Sequence, residues 1–143
     1  MCPMKQKPYR LISHTADIGV RVRGGTLKEL FANAAFAMFD LLTDVSEVRH
    51  AKSLKIRVIA ADLDELMVTW LGELLYKFEV GKTVFSAFKV LEVDNDHLVA
   101  SVKGEKFAPA RHEVVHAIKA VTYHQLKVHK TREGWATTII FDV

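Results

Sequence analysis

Three stretches of this 143-residue sequence place side chains capable of chemistry at suggestive spacings. In SHTADIGVRV, residues 13–22, His14 and Asp17 stand at the mouth of what otherwise reads as two strands. At the other end, TTIIFDV breaks an apolar run with Asp142. Two carboxylates about 4 Å apart repel by roughly 4 kcal/mol at an effective dielectric of about 20, unless one is protonated or a cation lies between them. Each aspartate also has a plainer explanation. Asp17 suits a turn, where its side chain bonds nearby backbone, and Asp142 suits a frayed end. They form one site only if the first and last strands are neighbours.

The third stretch is HEVVH, residues 112–116. It matches the zinc-hydrolase pattern in which two histidines one helical turn apart bind the metal and the glutamate activates water. That chemistry needs a helix. Here Pro109 precedes the motif and AIKAVTYHQLKV, rich in β-branched and aromatic residues, follows it. The third-ligand position, six residues past His116, is Thr122, and the glycine of the extended pattern is Lys119. A polar loop entering a strand is the better reading. His124 falls on an expected strand face, and His50, His97 and His129 fall near turns. Glycine-rich phosphate loops, a nucleophile elbow and a Cys-x-x-Cys pair are all missing from the sequence.

These residues need a scaffold, and the pattern supplies one. Residues 9–14 and 17–23 read as strands. Thr26 and Glu29 form a capping box for a helix over 26–43, whose apolar stripe includes Leu30, Phe31, Met38 and Leu42. Residues 53–60 alternate as a half-buried strand. Asp62 and Glu65 repeat the capping device for a helix over 62–80, with Gly81 expected as a left-handed cap. Strands over 85–93 and 98–106 flank the turn DNDH, and strands over 118–130 and 135–143 flank TREG. The economical arrangement is an α+β two-layer domain: two helices packed on one face of a mainly antiparallel sheet. Residues 1–8 read as an N-terminal tail and 9–143 as a single domain.

The net charge is +3, from 20 basic and 17 acidic residues. The basic residues are spread out, with mild clusters at 49–57 and 127–132, which suits solvated strand faces better than a dedicated nucleic-acid stripe. The one cysteine, Cys2, excludes an intramolecular disulfide and fits a reducing compartment. No signal peptide and no apolar run of about 18 residues is present. A soluble cytoplasmic protein is expected.

HTADIGVRV, a capped helix closing on FDLLTD, then GEKF, KAVTYHQLKV and FDV occur in that order from about Tyr9 to Val143. This combination resembles the archease family. The resemblance implies an accessory protein rather than an enzyme. Archeases serve the RtcB-type RNA ligase of tRNA splicing and repair, promoting its guanylylation by GTP and its multiple turnover. A chaperone-like modulation of tRNA-modifying enzymes is the alternative that the family offers. The resemblance also implies a divalent cation on Asp17, Asp142 and a main-chain oxygen of Val143. Such oxygen donors suit Ca²⁺, Mg²⁺ or Mn²⁺ better than zinc, with Ca²⁺ the expectation in crystals. His14, Arg111, His112, Lys119 and His124 are expected around that cation or on a surface that docks the ligase, with indirect contact to RNA or GTP and none to a membrane. Arg111 stands where the family commonly has lysine, replacing a compact ammonium with a fork suited to bidentate partners.

Overall fold

The computed structural model describes residues 7–12 and 17–143. Both helices start where their capping residues require. Helix α1 runs Leu27–Leu42 and α2 runs Leu63–Glu79. Thr26 Oγ1 accepts the Glu29 N–H at 3.1 Å, and Asp62 Oδ1 accepts that of Glu65 at 2.8 Å. The two glutamates reach back one residue further than a capping box does, to the N–H groups of Gly25 and Ala61. At the far end of α2 the left-handed residue is Lys82, with φ 51°, rather than Gly81. Gly81 answers a steric demand instead: a Cβ there would lie 2.7 Å from the Lys77 carbonyl oxygen.

The strands are β1 Tyr9–Ile12, β2 Ile18–Gly24, β3 Lys52–Ile59, β4 Thr83–Val93, β5 His97–Lys106, β6 Ala120–Val121, β7 His129–Thr131 and β8 Gly134–Asp142. Every pairing is antiparallel, so the α+β expectation of two helices with antiparallel strands stands. The strands form two sheets rather than one. The first has the order β1-β2-β8-β6, with β7 also paired to β8, and the second has the order β3-β5-β4. Period-two alternation shows which face of a strand is buried but not which edges hydrogen-bond, and that is why this partition escapes the pattern.

Helix α1 packs against both sheets, on β2 and on β4. Its burial is correspondingly wider than the expected stripe and takes in Ala37 and Phe39, the latter edge-on to Phe85 at 5.6 Å. The helices are joined by a buried bond from Trp70 Nε1 to the Phe31 carbonyl at 2.9 Å. Val20, Val22, Ile139 and Phe141 bring the inner face of the β2–β8 ladder into the same core. No helix among the described residues is long and apolar enough to cross a membrane.

The continuous strand expected over 118–130 is broken. Ala120 pairs with Asp142 and His129 with Ala136, so nine residues face a stretch of six and three are looped out. Local chemistry explains the break. Thr122 directs both its N–H and its hydroxyl to the Ile140 carbonyl, and Gln125 adopts φ 57°. Asp64 at the start of α2 then takes the Val128 N–H at 2.7 Å.

Candidate functional site

The β2–β8 ladder runs from Gly24↔Trp135 to Ile18↔Phe141. Continued by one residue, this register sets Asp17 opposite Asp142. Alternation from buried Val20 and Val22, and from buried Ile139 and Phe141, puts both aspartates on the outward face of the sheet. Asp142 is exposed and Asp17 half-buried. On the other side of β8, the Lys119 N–H donates to the Asp142 main-chain oxygen at 2.7 Å. Val143 follows, partly exposed. The second and last strands of the sequence are therefore neighbours, with the first strand on the far side of β2, and the two aspartates share one sheet end.

Among the described residues, no group of three or more His, Cys, Asp or Glu side chains converges as a metal cluster. A cation at this end would draw on two carboxylates and complete its shell from main-chain oxygen and water. That donor set is hard, and it fits Ca²⁺ or Mg²⁺ chemistry.

The remaining expected residues scatter. His14 lies outside the described residues. His124 is exposed in the looped-out segment, its N–H on Thr122 Oγ1 at 3.3 Å. Arg111 and His112 belong to a separate cluster around Glu105, near the end of β5. His112 Nδ1 accepts the Ala108 N–H at 2.8 Å, which leaves the ring proton on Nε2, and Nε2 donates to Glu105 Oε2 at 3.0 Å. The Arg111 guanidinium pairs with the other Glu105 oxygen, and the Arg49 N–H donates to Oε2 at 2.8 Å. The His112 side chain is 0% exposed, so in this conformation it presents no surface to a ligase. The Arg49 N–H above all, then Arg111 and His112, hold the Glu105 carboxyl down at about 2 against the opposing effect of burial.

The HEVVH segment is not helical. It runs along the end of α1, where Thr43 Oγ1 donates to the Glu113 carbonyl at 2.7 Å and the Val115 N–H donates to the Leu42 carbonyl at 2.8 Å. With His112 buried on Glu105, the two histidines do not form the paired ligand set that a helix would give. Glu105 itself is the residue that motif reading passes over. Its signal in the sequence is a lone carboxylate in SVKGEKF, between Gly104 and Lys106.

Comparison with known proteins places this geometry in context. Residues 9–143 match the model of the archease protein family (MTH1598/TM1083). Protein archease of Methanosarcina acetivorans is 41% identical over 145 residues, covering 99% of each chain. Protein archease of Pyrococcus furiosus is 37% identical over 134 residues, covering 91% of this chain and 94% of that one. The solution structure of Methanobacterium thermoautotrophicum protein 1598 superposes with a TM-score of 0.80 at 31% identity, over 96% of this chain and 100% of the other. The crystal structure of a Thermotoga maritima archease gives 0.66 at 19% identity over the full length of both, a likeness of fold. Family model, near full-length relatives and shared architecture agree: this chain belongs to the archease family.

Proposed function

We propose that the protein is a non-catalytic activator of an RtcB-type RNA ligase, promoting ligase guanylylation and repeated turnover. The observation that carries this reading is the register that sets Asp17 opposite Asp142 at one exposed sheet end. Asp17, Asp142 and a main-chain oxygen of Val143 would hold a divalent cation there, supplying positive charge at a tip small enough to approach another protein's active site. Lys119, tied by its N–H to the Asp142 carbonyl, fixes the approach of β6 to that tip. In this reading the protein works beside its ligase in the cytoplasm and meets RNA and GTP through it.

The test is guanylylation of the cognate ligase by GTP, with wild type, Asp17→Asn and Asp142→Asn. Stimulation should be lost in both variants while circular dichroism shows them folded. Full stimulation by either folded variant overturns the assignment. The Thermotoga protein is described as a possible chaperone, which supports a second reading as a modulator of RNA-modifying enzymes. Co-purification with a methyltransferase in place of a ligase would favour it. A zinc hydrolase is disfavoured by the non-helical HEVVH segment, and a His112→Ala/His116→Ala variant should have no such activity to lose.

A further inference from the structure

The outward face that carries Asp17 and Asp142 changes character further along the same two strands. Arg21 lies four residues beyond Asp17, about 13 Å at strand rise. It is paired in register with Arg10 on one side and Thr138 on the other. Arg23 follows on the same face. These arginines, with Lys7, line a groove of about 870 Å³ that also takes in Trp135 and, among the described residues, a single carboxylate, Glu133.

The charges of Arg10 and Arg21 are not arranged for self-satisfaction. Like charges directly opposite on an antiparallel pair are destabilising, yet Arg10 and Arg21 face each other. Among the described residues no carboxylate forms an ion pair with either of them. Lys7 is compensated by Asp40 at 2.8 Å. Arg21 is steered by a bond from Nη1 to Thr138 Oγ1 at 3.4 Å. An anion between Arg10 and Arg21 would relieve the repulsion and meet two guanidinium forks suited to phosphate oxygens.

The spacing of the arginines narrows the anion's class. Arg21 and Arg23 repeat at about 7 Å along one strand, a step comparable with that between successive phosphates of an extended single strand. We infer that this groove binds a single-stranded nucleic-acid segment, with its phosphates on Arg10, Arg21 and Arg23. The inference goes beyond the ligase reading and uses none of its residues, so failure of one leaves the other standing.

The experiment is fluorescence anisotropy of a labelled uridine oligomer of about 12 nucleotides with the full chain, across a salt series. Binding should weaken with salt at a log–log slope of about −2, the value for some three phosphate contacts on a single strand. The Arg10→Glu/Arg21→Glu variant should bind at least about tenfold more weakly and with a flatter slope. If the charge reversal unfolds the chain, Arg10→Gln/Arg21→Gln replaces it. No binding at low salt, equal binding by the arginine variants, or equal binding of a duplex or of a polyglutamate of matched charge would each overturn the inference.

Discussion

His112 and Glu105 share a 3.0 Å hydrogen bond in the protein interior, with the histidine's other nitrogen committed to the Ala108 N–H. This pair fastens the loop after β5 to the strand it leaves, and it converts two residues that look like surface chemistry into internal bracing. His112→Ala removes both bonds and leaves a void. We expect a loss of about 2–4 kcal/mol in chemical denaturation.

The same pair sets an acid limb on stability. Glu105 titrates at about 2 when folded, below its ordinary 4.5. A depressed carboxyl stabilises the fold above its ordinary value and loses that contribution as pH falls toward the folded one. Wild-type stability should therefore decline between pH 4.5 and about 2. Glu105→Gln should be less stable at neutral pH and flatter across that window, as read from denaturation midpoints at each pH.

Thr26→Ala and Asp62→Ala each leave an amide at a helix start without its acceptor. Each should cost about 1 kcal/mol, and the two should add, because the caps share no partner. A double variant losing far more than the sum in thermal denaturation would show coupling through the α1–α2 contact.

Gly104 faces Phe85 on the β4–β5 ladder, beside a bulge, and a Cβ there would lie 1.8 Å from the Val84 carbonyl oxygen. Neither backbone can yield without breaking the ladder. Gly104→Ala should destabilise by about 3 kcal/mol or more, whereas Gly72→Ala, with nothing within 4 Å of the new Cβ, should be tolerated.

On the proposed cation site, calcium should raise the melting temperature of wild type and Asp142→Asn should abolish the rise, since a ligand bound only by the folded state stabilises it by mass action. A calcium-dependent shift that persists in both Asp17→Asn and Asp142→Asn would place the ion elsewhere.

Much of the scaffold was legible because its signals are local. Thr26 with Glu29 and Asp62 with Glu65 mark helix starts through bonds three and four residues long, and both helices begin there. What escaped depends on distance or on competition. The division into two sheets rests on edge pairing that alternation does not encode. The break comes after Thr122, whose N–H still bonds Ile140 in register, and passes through the left-handed Gln125, against the strand preference of its neighbours. Asp17 and Asp142 were each legible as interruptions, and only the β2–β8 register sets them side by side. The basic groove was hidden for the same reason. Arg10, Arg21 and Arg23 look dispersed along the chain, yet they gather on one face once β1 and β2 pair.

The ladder that aligns the candidate site also sets when that site can exist during folding. Arg21 and Thr138, bonded across β2 and β8, stand 117 positions apart. The β4–β5 hairpin closes through the short turn at 94–96. Loop closure over long separations is entropically late, and non-local strand pairing slows folding. The β3–β5–β4 sheet and the two helices can therefore assemble while β2 still waits for β8. In refolding, hydrogen-exchange protection should reach the β4–β5 amides before those of β2 and β8. A metal-sensitive signal from Asp17 and Asp142 would then report the last step of maturation, and would distinguish finished molecules from compact unfinished ones.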